Sequence, residues 1–161
     1  MAGLFGGHSF GFLFRRDEGE VDRRIWWAGA LALAVPLALM SAVWWLVGGA
    51  AHREFTPTLQ LFDARTGFTY LYLLVFAAAI LLIAISYYNL SAKRLRAQGL
   101  VPGLAGLLPL AALLTGAMHW MAPRIGDALP GWSVLAVDLA MLAVVAWNVW
   151  ELGINTRNRP V

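Results

Sequence analysis

Polar and apolar positions in this chain fall into blocks: four long apolar runs are separated by short charged or Gly/Pro-bearing stretches. The runs cover residues 25–49, 68–90, 100–122 and 132–152, each about the length that crosses a bilayer with some tilt. Backbone N–H and C=O groups in such a run find no water in lipid, so the pattern predicts helices that satisfy their own hydrogen bonds. All eight tryptophans, Trp26, Trp27, Trp44, Trp45, Trp120, Trp132, Trp147 and Trp150, lie near the ends of these runs. Trp26 to Trp44, and Trp132 to Trp150, are each 18 residues apart, which is about 27 Å of helix and close to the hydrocarbon thickness. The indoles are therefore expected as interface anchors in both headgroup layers. The predicted fold class is all-α: a polytopic membrane protein with four transmembrane helices in an antiparallel bundle. Residues 1–24 form an N-terminal segment, 25–152 the membrane domain and 153–161 a tail.

Composition narrows the class further. Of 161 residues, 60% are hydrophobic and 13% charged, far more apolar than a soluble domain of this size. The net charge is only +3 and the basic residues are parcelled between apolar runs, a distribution that orients a membrane protein rather than binding nucleic acid. The absence of cysteine excludes disulfides, thiolate metal sites and cysteine nucleophiles. Eleven arginines against one lysine, with abundant Ala, Leu and Gly, point to a GC-rich bacterial genome.

The basic residues also predict topology. Arg15, Arg16, Arg23, Arg24, Lys93, Arg94, Arg96, Arg157 and Arg159 fall on one side of the four runs, and only Arg53, Arg65 and Arg124 on the other. The positive-inside rule then places both termini in the cytoplasm. The first run, with Ala-Leu-Ala-Leu-Ala at 30–34, is too long for a signal-peptide core and carries tryptophans at both ends. Segment 3–14 is rich in Gly and Phe and too short to span. It is expected on the membrane surface, with Phe5, Phe10, Phe12 and Phe14 dipping in, or disordered. Phe55, Leu59, Leu61 and Phe62 of the longest connection, 50–67, are expected to rest on the outer leaflet. Pro102 suits a first helical turn, and Pro36 and Pro109 predict kinks.

Few polar residues interrupt the runs. Asp138 lies about 9 Å below Trp132 by helical rise, and a charged carboxylate there costs about 2.5 to 3.5 kcal/mol on insertion scales. His119 is its expected partner, as a structural pair or as a proton or cation site. The competing reading has Asp138 hydrated through the interface or bonded to a helix backbone, with His119 among headgroups. Ala105, Pro109, Ala112, Gly116 and His119 form a small-residue face on the third run. It is expected to meet Val134, Asp138, Met141, Val145 and Asn148 of the fourth. On the cytoplasmic side Arg23, Arg24, Lys93, Arg94, Arg96, Glu151 and Asn155 are candidates for binding anionic lipid or a protein partner. Snorkelling anchors, or a Glu151 bridge to Arg94 or Lys93, are the alternatives.

Three segments resemble the domain-of-unknown-function 805 family, small YhaH-like bacterial inner-membrane proteins. Gly19-Glu20-Val21-Asp22-Arg23-Arg24-Ile25-Trp26-Trp27 is similar to that family's Gly-Arg-Ile-Ser-Arg-Arg-Glu-Phe-Trp lead into the first helix. Ala92-Lys93-Arg94-Leu95-Arg96-Ala97-Gln98-Gly99-Leu100 is similar to its Arg-Arg-Leu-His-Asp-Xaa-Gly loop. Glu151-Leu152-Gly153, Asn155 and Asn158-Arg159-Pro160 resemble its tail. Glu20 replaces an arginine, Ile25 a glutamate, and Arg96-Ala97 the His-Asp pair, so the resemblance implies a divergent member. It also implies a four-helix inner-membrane fold with its shared residues at one surface, and brings no established activity.

Other chemistry finds no support. His8, His52 and His119 lack the spacing of a metal site, and the Gly-rich start lacks the GxxxxGK pattern. No GxSxG, HExxH or paired catalytic carboxylates occur. The expectation is a non-enzymatic protein without metal or cofactor, an interaction, scaffold or accessory subunit of a membrane complex. Its expected partners are membrane lipids, anionic ones included, and other membrane proteins or itself. A small transporter or lipid-binding protein using Asp138, His119 and the basic cluster is the alternative.

Overall fold

Two short polar residues start the first two helices. Ser9 Oγ accepts from the Phe12 N–H at 3.2 Å at the head of α1 (Phe10–Arg15). Asp22 Oδ1 accepts from the Ile25 N–H at 2.7 Å at the head of α2 (Arg23–Val47). Each satisfies a donor that the first helical turn leaves open. The computed structural model describes residues 6–48, 64–122 and 130–156. Among them it is helical and contains no strand.

The third helix, α3 (Ala64–Ala97), has 34 residues, roughly 51 Å and more than a hydrocarbon layer needs. It stops at Gly99, whose φ is +74°. The N–H of Gly99 reaches the carbonyl of Arg96, and that of Leu100 the carbonyl of Leu95, both at 2.9 Å. This is a Schellman ending, which requires the left-handed conformation glycine adopts without strain. A 3₁₀ turn, Pro102–Gly106, leads into α4 (Leu107–Met121). α5 (Trp132–Asn148) continues into a π-helical segment, Val149–Ile154.

The two prolines that predict kinks sit differently in their helices. α2 is helical on both sides of Pro36, and Pro109 falls in the first turn of α4, where its N–H would have no intrahelical acceptor anyway. The backbone there changes from 3₁₀ to α instead.

Arg23–Val47, Gly67–Ala97, Pro102–Met121 and Trp132–Ile154 are long and apolar enough to cross a membrane. Their apolar stretches are almost wholly uncovered: Leu39, Leu74, Leu82, Leu113 and Leu142 are each more than 60% exposed, whereas Ser91, Lys93 and Asn148 are buried. A water-soluble domain has the opposite distribution. In lipid, leucine gains nothing from being covered, and buried polar groups mark where helices bind each other.

The chain forms two compact units. In the unit Leu31–Ala84, the Tyr72 hydroxyl donates to the Met40 carbonyl at 2.7 Å. The Phe76 ring stacks near both Tyr72 and Trp44, at 6.0 and 6.3 Å. The other unit, Met1–Ala30 with Ile85–Val161, holds α1, the start of α2, the end of α3, and α4 packed on α5. On α5 the less exposed positions include Val134, Asp138, Met141, Val145 and Asn148, the seam expected. On α4 and its 3₁₀ lead-in the expected face is corrected in part: Ala105 is buried, Pro109 is half-buried and His119 reaches Asp138 on α5. Ala112 and Gly116 are exposed, and a Cβ on Gly116 would touch nothing within 4 Å. Leu108, Ala111, Thr115 and Met118 turn inward instead, so the face is rotated by about one residue.

The segment expected on the membrane surface is also corrected in part. Leu13 and Phe14 are buried, and Phe10 alone of the described phenylalanines at 10, 12 and 14 is well exposed. The polar groups at the end of α3 hold this segment in place. Phe5, the 50–63 connection, Arg53, Arg124, Arg157 and Arg159 lie outside the described residues.

Candidate functional site

A helix leaves its last four carbonyls without intrahelical donors. In the π segment all four are taken by side chains from elsewhere in the chain. Gln98 Nε2 donates to the carbonyl of Glu151 at 2.6 Å, and Arg94 Nε to that of Leu152 at 3.2 Å. Trp27 Nε1 donates to Gly153 at 3.0 Å and Arg23 Nη1 to Ile154 at 3.4 Å. Arg94 Nη2 continues to the carbonyl of Asn155 at 3.0 Å. Two guanidinium groups at a helix C-terminus also complement its negative dipole end.

The end of α1 is held in the same way from the other side of α3. Lys93 is fully buried. Its ammonium donates to the carbonyl of Arg16, to that of Leu13 at 3.4 Å and to that of Asn89 at 3.2 Å, and lies 5.2 Å from the Phe12 ring centre. Asn89 Nδ2 donates to the carbonyl of Phe14 at 2.9 Å. Arg96 reaches both the Asp17 carbonyl and its carboxylate, the latter at 3.3 Å. Burying an ammonium is tolerable only with acceptors around it, and carbonyl oxygens supply them here.

This clasp places the candidates differently from expectation. Lys93 is enclosed, which corrects its reading as a group reaching outward to lipid or a partner. Arg94 is buried and bound to backbone carbonyls, so the expected Glu151 bridge to Arg94 or Lys93 is absent among the described residues. Glu151 Oε1 instead accepts from Asn155 Nδ2 at 3.0 Å. Arg23 and Arg24 remain exposed. The anchor reading of Trp26 is corrected as well: it is 2% exposed and its indole N–H donates to Ser91 Oγ at 3.2 Å. Trp27 is half-buried against Gly153, and Trp44 and Trp147 are half-buried too. Trp45, Trp120, Trp132 and Trp150 are exposed. Ser91 and Gln98 were missed by the sequence reading. The Asn148 amide, which accepts from the Tyr87 hydroxyl at 2.9 Å, binds α3 as well as its own helix.

His119 and Asp138 meet: Nε2 lies 2.9 Å from Oδ1, with side chains 56% and 38% exposed. A double-mutant cycle on folded yield in detergent is expected to show coupling between His119→Ala and Asp138→Asn of about 0.5 kcal/mol or more. Additive effects would mean the contact contributes nothing. Among the described residues no three His, Asp or Glu side chains group to hold a metal.

Compared with family models, curated proteins and solved structures, the chain has no match in any of the three.

Proposed function

We propose that this chain is a small multi-pass protein of the bacterial inner membrane with both termini in the cytoplasm. On this reading it is a divergent member of the domain-of-unknown-function 805 family and serves as a non-catalytic interaction, scaffold or accessory subunit of a membrane complex. The observation that carries the reading is the direction of its polar groups. Lys93, Arg94, Gln98, Asn89 and Trp27 bind the chain's own carbonyls, while the apolar helix faces stay uncovered. A protein built this way offers rigid surfaces rather than a reaction centre. The membership proposal gains support from the same clasp, because described residues of each resembling segment, Arg23 and Trp27, Arg94, and Leu152 and Gly153, meet in it.

Photo-crosslinkers placed at exposed Ala112 and Gly116 in native membranes are expected to give one stoichiometric protein adduct. Lipid adducts alone, from both positions, would overturn the subunit reading. Reporters fused to the two ends are expected to be active on the cytoplasmic side, and opposite sidedness would overturn the topology. The 2.9 Å His119–Asp138 contact favours a second reading, a small transporter. That reading requires solute or proton flux in proteoliposomes that Asp138→Asn abolishes.

A further inference from the structure

Beside the clasp, the ends of α2 and α3 and the residue Thr156 enclose an open cleft of about 270 Å³, lined by Asp22, Arg23, Arg24, Arg94 and Thr156. We propose that this cleft is a binding site for a phosphate group, of the phosphomonoester or phosphodiester class. Three guanidinium groups face one carboxylate in the lining. That carboxylate, Asp22, already accepts from the Ile25 N–H. Glu151, the other acidic residue near Arg94, is turned to Asn155. Arg94 and Arg23 are held by the carbonyls of Leu152, Asn155 and Ile154. Carbonyls and the helix dipole end orient a guanidinium and offset its charge only in part, so net positive charge stays available. Arg94 is 97% buried by the protein, and what remains of it lines the cleft. Its Nε and Nη2 are taken by carbonyls, which leaves Nη1, held in a fixed plane, as the donor for a phosphate oxygen. Arg24 makes no hydrogen bond or ion pair among the described residues, and the Thr156 side chain, also exposed, adds a neutral donor.

Position narrows the source. Arg23 and Arg24 immediately precede the apolar run of α2 and Arg94 follows that of α3, the depth at which lipid phosphates lie. The inference depends on the membrane reading for its source of phosphate and is independent of whether a protein partner exists.

The test uses the full chain purified in detergent, with native mass spectrometry of added phosphatidylglycerol or phosphatidylcholine, and thermal shifts with inorganic phosphate or glycerol phosphate. Arg24→Gln removes a cleft charge that supports no fold contact, and Arg15→Gln removes an exposed charge outside the cleft. Arg24→Gln is expected to weaken the bound phosphate ligand about tenfold, the size of one lost charge-assisted hydrogen bond, while Arg15→Gln stays within about twofold. Retention of phosphatidylglycerol without response to free phosphate assigns a lipid headgroup. Stabilisation by free phosphate or glycerol phosphate, lost in Arg24→Gln, assigns a soluble ligand. Equal losses in both variants would reduce the effect to diffuse charge and overturn the site, as would binding of none of the four probes. A failed partner crosslink with an intact Arg24 effect would sink the subunit reading and leave this site standing.

Discussion

Lys93→Met is expected to release the N-terminal segment, with trypsin cleaving after Arg15 and Arg16 at least about tenfold faster than in the parent chain and stability falling by on the order of 3 kcal/mol. Methionine keeps most of the length and apolar stem of lysine but donates nothing. The carbonyls of Leu13 and Arg16 would lose their ammonium donor, and Phe12 its cation. Replacing both members of a buried ion pair by apolar groups can be neutral, but here the acceptors belong to the backbone and stay behind. Arg96→Gln is the control. It removes a partly exposed pair with Asp17, and such contacts contribute about 0 to 1 kcal/mol. A Lys93→Met protein with the parent's tryptic pattern and melting midpoint would show that the ammonium does not hold α1.

The second large effect is expected at Gly153. A Cβ built there would lie 2.6 Å from Trp27 Cζ2 and 2.9 Å from its Cε2, with Trp26 Cζ3 at 3.1 Å. Those atoms belong to rigid rings, and both indoles are tied by hydrogen bonds to Gly153 and Ser91. Gly153→Ala should therefore cost about 1–3 kcal/mol by overpacking. Gly29 provides the comparison: its nearest neighbours are the terminal methyl groups of Leu90, at 2.7 and 3.1 Å. A leucine tip can change rotamer, so Gly29→Ala should cost less than about 1 kcal/mol. Thermal unfolding of the two variants in the same detergent decides the matter. Equal losses would mean that the indoles shift as easily as the leucine does.

The contrast between fold and site follows from what a sequence can display. Four apolar runs are visible because lipid demands unbroken length, and α2, α4 with its 3₁₀ start at Pro102, and α5 with its π-helical continuation follow them to within a few residues, whereas α3 extends back to Ala64 and on to Ala97. Gly99 after Leu95 was an available stop signal for α3, since the Schellman ending calls for glycine at that position. The His119–Asp138 contact was visible because both partners are polar side chains within apolar runs. The clasp was harder to read. Its donors, Lys93, Arg94 and Gln98, resemble ordinary residues at a membrane boundary, and its acceptors are main-chain oxygens, which carry no residue signature. Ser91 likewise gives no hint of Trp26 until the helix ends are brought together. The middle of α4 departs from the expected face, with Ala112 and Gly116 exposed, because small residues permit close approach without compelling it.

The four carbonyls of residues 151–154 have a consequence for how the chain is made. They follow Trp27, Arg94 and Gln98 along the chain, so synthesis reaches them after these donors. Until the final helix is inserted, those donors have only water or headgroups to bind, and the earlier helices lack the partner that fixes their ends. Closure of the clasp therefore waits for residues 151–154. A product cut short before Glu151 would leave Gln98, Arg94, Trp27 and Arg23 without the acceptors that hold them.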